Sequence, residues 1–197
     1  MARRVAVVSP HDAEAHGSES GAQIIVWEGM KMQLSDLLLT ELQQEAQTTR
    51  KLLERVPEAA LTWAPHERSM TLGRLAGHLA ELPGLVEAIV TQPEFDFVTA
   101  GFTPYVATNV AELLRVYDEN IRRAEAALKG PSDEHLLASW RLLRGGQVLY
   151  EMPRLSFLRT LVLNHSVHHR GQLSVYLRMQ NVPLPWIYGP TADEPRT

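Results

Sequence analysis

The stretch LVLNHSVHHRGQLSVYLRMQNVPLP, residues 161–185, has the spacing of an amphipathic helix and places three histidines within five positions. With about 100° of rotation per residue, His165 and His169 straddle the apolar stripe of this helix. His168 lies at the edge of the stripe, and Arg170 points to the opposite side. The sequence therefore predicts a core-facing helix that carries at least two inward imidazoles.

Four long helical patterns are predicted in all. The first covers residues 34–56 and ends at Pro57, and the second begins after Ser69 or Thr71 and reaches Pro93. Pro83 lies inside the second helix, where the loss of one backbone hydrogen bond is expected to kink the chain. The third follows Asn109, a capping residue, and stops at Gly130, and the fourth opens at Pro153 and continues to Asn181.

A short hairpin is predicted between the third and fourth helices. Gly145 and Gly146 separate two short apolar runs, as in a two-residue β-turn. The predicted fold is therefore all-α, a four-helix bundle with a small β-hairpin between helices 3 and 4. The link over residues 93–108 is long enough for a crossover, so the helix connectivity stays open.

Composition restricts the class of protein. With 197 residues, the chain is expected to form one domain over residues 32–194, preceded by a flexible N-terminal extension over residues 1–31. A formal net charge of -4 and the lack of a long apolar run argue against nucleic acid and membrane partners. The absence of cysteine excludes thiolate ligands and fits a cytoplasmic location.

His78 faces inward from the apolar stripe of the second helix, so three imidazoles from two helices point to one core. An isolated inward histidine is usually a hydrogen-bonded core residue, but three buried imidazoles without partners would each cost about 1 to 3 kcal/mol. Histidines at i and i+4 can share one ion. We therefore expect a divalent metal bound by His78, His165 and His169, with at least one position left for water or substrate.

The sequence leaves several roles around this site open. His168 is an alternative ligand at i+3 spacing, and Glu81 is a candidate ligand or a hydrogen-bonding partner of one. Gln172 and Tyr176 point to the same pocket and are candidate substrate-binding residues, although core packing is an alternative for Tyr176. No general base is identified. Zinc or nickel is expected first, with iron and manganese as alternatives, because all four accept imidazole.

Two segments resemble a known family. The stretch NHSVHHRGQLSVYLRMQNVPLPWIYGPTADE is similar to the last helix and tail of the DinB-like, or YfiT-like, family of metalloenzymes, and TLGRLAGHLAEL resembles its second helix. The resemblance covers about residues 32–194. It implies a four-helix bundle, often dimeric, with a divalent metal at the positions of His78, His165 and His169.

Two classes of function follow from this resemblance and from the ligand set. The first is a metal-dependent enzyme, either a thiol S-transferase or a hydrolase, acting on a small electrophilic substrate. The transferase would require an external low-molecular-weight thiol, because the chain has no cysteine. The alternative is a non-catalytic metal- or ligand-binding module of a stress response. A homodimer is also expected, because Leu37, Leu38 and Leu39 widen the apolar surface of the first helix.

Overall fold

The computed structural model describes residues 32–194, so the predicted N-terminal extension lies outside the described residues. Within this part of the chain, no helix has both the length and the apolar character needed to cross a bilayer. The described chain is mostly helical and includes a small three-stranded sheet.

In residues 32–194, seven α-helical stretches make up four long helical segments and one short helix. They are α1 (Leu34–Leu53), α2 (Leu72–Glu81), α3 (Leu85–Thr91), α4 (Val110–Ala127), α5 (Asp133–Leu137), α6 (Arg154–Phe157) and α7 (His165–Met179). The first and third segments are α1 and α4, the second combines α2 and α3, and the fourth combines α6 and α7. The short helix α5 was not predicted from the sequence.

Side-chain caps determine where two of the segments begin. The Thr71 side chain accepts a hydrogen bond from the Arg74 N–H, and the Asn109 side chain accepts one from the Glu112 N–H at 2.7 Å. Each cap satisfies an N–H that has no partner within its helix. At the far end of the fourth segment, Asn181 has φ +58°, the left-handed conformation that commonly follows a helix. The helix starts at Thr71 and Asn109 and the helix end at Asn181 agree with the sequence prediction.

The second segment bends where Pro83 was expected to kink it. A 3-10 turn, Leu82–Gly84, separates α2 from α3. Proline lacks an N–H, so the α-helical ladder cannot continue through this position. The bend directs α2 and α3 along different parts of the core.

The fourth segment differs from the single regular helix that was predicted. A π-helical stretch, Leu158–Asn164, separates α6 from α7. Such wide turns contain an extra residue per turn, and they occur frequently at functional sites. His165 is the first residue after this stretch, so the change in helical pitch sets the direction from which its ring enters the core.

The hairpin is confirmed, but the sheet has a third strand that the sequence analysis missed. Strands β2 (Ser139–Arg144) and β3 (Gln147–Pro153) are antiparallel and are joined by Gly145 and Gly146, both with positive φ. Strand β1 (Glu94–Asp96) pairs in parallel with β2. The expected helical fold with a small hairpin is consistent with the structure, and the third strand adds to it. A three-residue strand is too short to produce an alternating pattern.

The long segments pack so that α1 and α2 each contact both α4 and α7. Two apolar clusters form the core. One joins α1, α2, α4 and α7, and the other joins α1, α3, the hairpin and the π-helical stretch. Since α2 packs directly on α7, residues of these two helices can meet at one site.

Candidate metal centre

His78, His165 and His169 meet between α2 and α7. The Nε2 atom of His165 lies 3.4 Å from Nε2 of His78 and 2.8 Å from Nε2 of His169. One ring nitrogen from each residue lies within 4.8 Å of the other two. His169 is buried, with 6% of its surface exposed, and the other two are half-buried. The structure thus brings together the three residues that the helical spacing predicted would face one core.

Two of these rings have an oxygen acceptor on the side that faces away from the cluster. Nδ1 of His78 lies 2.9 Å from Glu81 Oε1, and Nδ1 of His169 lies 2.7 Å from Gln172 Oε1. For His165, the backbone of Leu161 one turn earlier acts on the ring in the direction that raises its pKa. A neutral imidazole has only one N–H. When that proton is donated to the outer oxygen, the Nε2 atoms carry lone pairs that face one another.

Glu81 is itself held by two further groups. Its Oε1 accepts a hydrogen bond from Arg74 at 2.8 Å, and its Oε2 accepts one from the Tyr105 N–H at 2.7 Å. Burial alone would raise the pKa of the Glu81 carboxyl, but the hydrogen bond with His78, the Tyr105 N–H and the Arg74 charge together lower it. The carboxylate is therefore ionised, and it can only accept from His78 Nδ1.

Two glycines allow this arrangement to form. A Cβ atom on Gly77 would lie 2.4 Å from the Tyr105 carbonyl oxygen, and one on Gly73 would lie 2.9 Å from the Ala107 carbonyl oxygen. Gly73 is the second residue of α2, and Gly77 lies more than one turn inside it, where glycine otherwise weakens a helix. Their presence lets the extended segment around Tyr105 pack directly against the helix that carries His78.

The environment disfavours protonation of two of the histidines. Burial lowers the pKa of His169 to about 4, and repulsion from His165 and His78 adds to this effect, while the Gln172 hydrogen bond opposes it. Burial and the nearby His78 also lower the pKa of His165, against a hydrogen bond with Leu161 that raises it. Near neutral pH these rings are therefore unprotonated and can act as ligands.

Two of the three separations between the ring nitrogens fit a shared divalent ion. Two nitrogens that are each about 2.0–2.1 Å from one ion lie about 2.9 Å apart at a right angle and about 3.3 Å apart at the tetrahedral angle. The observed separations of 2.8 and 3.4 Å are close to these values. Among residues 32–194, these three form the one cluster of histidine and carboxylate side chains close enough together to share an ion.

A cavity of about 200 Å³ opens beside two of the histidines. His78, His165 and Glu81 form one wall. The remaining lining residues are all apolar and come from α3, the 3-10 turn, the sheet, the π-helical stretch and the loop after β1: Leu82, Leu85, Phe97, Phe102, Leu142 and Leu161. A ligand in this cavity would contact the metal centre directly.

The remaining candidate residues have different surroundings. Gln172 contacts His169, and Tyr176 packs edge-on against Trp63 with ring centroids 5.5 Å apart. Neither lines the cavity, so their roles in substrate binding stay predictions. His168 is exposed and stands outside the three-residue cluster.

The hairpin aromatics Trp140 and Tyr150 do not line this cavity. Trp140 is buried against Phe157 at a centroid distance of 4.8 Å, and Tyr150 is largely exposed. Trp140 therefore packs as an ordinary residue of the apolar core.

The sequence analysis missed the supporting residues Arg74 and Tyr105. A signal for Arg74 was present, because Arg74, His78 and Glu81 stand at i, i+4 and i+7 on one helix face. No signal marked Tyr105, since it contributes a backbone N–H, which every residue except proline has.

Comparisons with known proteins agree with this fold. A sequence model of the DinB family matches residues 30–196. The chain is 30% identical over 162 residues to the uncharacterized protein YrdA of Bacillus subtilis, covering 82% of this chain and 92% of that protein.

Two solved structures extend the comparison. A DinB-like protein from Bacillus cereus superimposes with a TM-score of 0.62 at 24% identity, covering 81% of this chain and all of that one. YfiT from Bacillus subtilis, described as "a probable metal-dependent hydrolase with an unusual four-helix bundle topology", has a TM-score of 0.57 at 15% identity, with 84% and 95% coverage. At these identities the structural matches concern the fold alone.

Proposed function

Because this chain belongs to the DinB family, we propose that it is a divalent-metal-dependent enzyme of the four-helix-bundle type that hydrolyses a small electrophilic substrate. The metal ligands in this proposal are His78, His165 and His169. The proposal extends to this chain the reaction class for which its structural relative YfiT is described.

One observation carries the proposal, namely the convergence of the Nε2 atoms of the three histidines. Hydrogen bonds at Nδ1 fix the orientation of two of the rings, those of His78 and His169. If both rings carry their proton on Nδ1, the 2.8 Å contact between His165 Nε2 and His169 Nε2 brings two lone pairs together, and a cation between them removes this repulsion. Oxygen acceptors behind metal-binding imidazoles fix the ring orientation and increase the basicity of the ligand. Glu81 has that position behind His78, and Gln172 has it behind His169.

A divalent ion bound by three imidazoles supplies Lewis acidity, which lowers the pKa of water or of an added thiol at the site. The protein's own groups perform the other tasks. Glu81 holds the Nδ1 proton of His78, Arg74 keeps Glu81 ionised, and the apolar walls limit the access of bulk water to the cavity. Limited water access strengthens the electrostatic interactions of the site.

Within residues 32–194 no fourth protein ligand joins the three histidines, which favours an enzyme over a purely structural site. Glu81 turns its Oε1 toward His78 Nδ1 and Arg74, and His168 stands outside the cluster. Three protein ligands and an open position are the usual arrangement of catalytic zinc sites, whereas structural sites are closed by four. The cavity beside His78 and His165 offers room for a substrate at that position.

The thiol S-transferase and the stress-response module remain predictions. A transferase would need an external thiol, because the chain contains no cysteine. The cavity of about 200 Å³ is smaller than the roughly 300–1,000 Å³ typical of pockets for drug-sized ligands, so a peptide-sized thiol would have to lie largely outside it. We therefore rank hydrolysis first.

The test is reconstitution followed by turnover. Metal-free protein is loaded separately with zinc, nickel, iron or manganese, and hydrolysis of a panel of small esters and amides is measured with and without an added small thiol. The proposal expects metal-dependent hydrolysis that needs no thiol. Turnover only with the thiol would support the transferase, and stoichiometric metal without turnover in either assay would support the binding module.

The homodimer and the cytoplasmic location also remain proposals. Of the three leucines on which the dimer was predicted, Leu38 lies in the core and Leu39 packs against it. Leu37 remains 51% exposed to solvent. A dimer would bury Leu37 at its interface. A monomer mass by light scattering at micromolar concentration would contradict this proposal.

A further inference from the structure

The cavity beside the metal centre has one polar wall and is otherwise apolar. His165 and Glu81 line the polar side, and the other lining residues, such as Leu85 and Phe102, are apolar. Apolar surface of this kind gains free energy when it is covered by an apolar ligand, at roughly 25 cal/mol per Å². A charged or strongly hydrated group would lose its hydration there without finding a partner.

The volume limits the size of a ligand. A cavity of about 150 Å³ lined by leucine, isoleucine and phenylalanine is known to accept benzene in an engineered lysozyme. The cavity described here measures about 200 Å³, so it has room for a benzene ring with a small substituent. It is too small for a nucleotide or a peptide, both of which need the larger pockets typical of such ligands.

The outer wall is an ordered aromatic pair. Phe97 and Phe102 contact each other with ring centroids 5.5 Å apart, and the Phe102 N–H donates to the Phe97 carbonyl. Asp96, just before them, accepts hydrogen bonds from the Gly145 and Gly146 N–H groups of the hairpin turn. The hairpin therefore holds this loop in place, and the aromatic wall is formed before a ligand enters.

We propose that this cavity binds a compact apolar group of the substrate, of the size of a singly substituted benzene ring, and that Leu85, Phe97 and Phe102 determine this specificity. The inference rests on the proposed function, because it places the reacting atom of the substrate at the wall formed by His78 and His165. It names a substrate class, a small aromatic or branched apolar electrophile, that the metal centre alone does not specify.

The test measures binding of 4-fluorotoluene to the purified full-length chain by fluorine NMR. We expect saturable binding to the native protein. Leu85→Trp fills the cavity from a half-buried position and is expected to weaken binding by about tenfold or more, equivalent to about 1.4 kcal/mol. Leu137→Trp, the same substitution at a residue that is 55% exposed and outside the cavity, is the matched control and should bind like the native protein.

A second measurement requires no variant. Cobalt is added to the metal-free native chain, and the relaxation of the bound fluorine is recorded. A paramagnetic ion at the three histidines should broaden the signal strongly, because the cavity shares His78 and His165 with the proposed site. Failure of 4-fluorotoluene to bind the native chain, or equal binding to Leu85→Trp, would overturn the inference.

The two proposals can fail separately. Stoichiometric cobalt binding without any binding of 4-fluorotoluene would overturn this inference and leave the metal centre standing. If Leu85→Trp abolishes binding of 4-fluorotoluene but cobalt does not broaden the signal of the bound fluorine, the cavity is supported as a binding site. The metal centre is then contradicted.

Discussion

The Nε2 atoms of His165 and His169 lie 2.8 Å apart, one helical turn from each other on α7, and Nδ1 of His169 has the Gln172 side-chain oxygen behind it. Such a contact is unfavourable between two neutral rings whose protons are directed outward. A bound cation removes the conflict, and the following predictions depend on this relationship and on the contacts that support it.

His169→Ala is expected to abolish stable metal binding. Loss of a residue that hydrogen-bonds a metal ligand typically lowers the metal affinity about 10–100-fold. Removal of one of the three ligands themselves should lower the affinity by more than this. Elemental analysis of the purified protein is the measurement. His168→Ala, which alters the exposed neighbouring histidine, is the matched control and should retain the metal. Retention of stoichiometric metal by His169→Ala would remove this residue from the ligand set.

Glu81→Ala should weaken metal binding by about 10–100-fold, because the His78 ring then loses the acceptor that fixes its orientation. Glu81→Gln keeps an acceptor oxygen and should recover part of the affinity. Glu87→Ala is the control, since this exposed carboxylate pairs with Arg123 away from the site. Affinity is measured by competition with a chelator, and equal affinities for all three variants would contradict the assigned role.

Gly77→Ala is expected to disturb the centre without altering any side chain that touches it. The added methyl group would lie 2.4 Å from the Tyr105 carbonyl oxygen, so the segment whose N–H holds Glu81 must shift. We expect weaker metal binding and a lower unfolding temperature. Gly171→Ala, at an exposed position of α7 with free space around it, should instead be neutral or stabilise the helix by about 0.5–1 kcal/mol.

The metal-free protein should lose stability as the pH falls from about 6.5 to about 4. The folded-state pKa of His169 is lowered to about 4, below the unfolded value of about 6.5. Protons therefore bind the unfolded chain first, and the stability present above pH 6.5 declines through this window. Thermal unfolding of the native chain and of His169→Ala isolates the effect, since the variant should show a shallower decline. Parallel profiles would contradict it.

Arg170→Ala should destabilise the fold by about 3 kcal/mol, because it breaks a buried ion pair. Arg170 is 1% exposed, contacts Glu45 at 2.5 Å and lies 4.8 Å from the ring centroid of Tyr188. Arg178→Ala removes an exposed pair with Asp193 and should cost no more than about 1 kcal/mol. Chemical denaturation measures both, and similar losses for the two variants would refute the special role of Arg170.

Local patterns were sufficient to predict the four long helical segments and the helix faces on which the site histidines lie. Asn109 and Gly145 stand at a cap and a turn because their backbone or side-chain chemistry acts within a few residues, so neighbouring positions contain the whole signal. For the same reason, the i, i+4 spacing of His165 and His169 already placed both on one helix face.

The remaining features depend on residues that are distant in sequence. His78 meets His165 across 87 positions only because α2 packs on α7, and Arg170, which the helical pattern directs away from the metal centre, is buried by Glu45 of α1. The cavity is likewise built from four separate parts of the chain. Periodicity states which side of a helix is apolar, but the identity of the partner that covers it follows from the packing of the complete core, which no single segment contains.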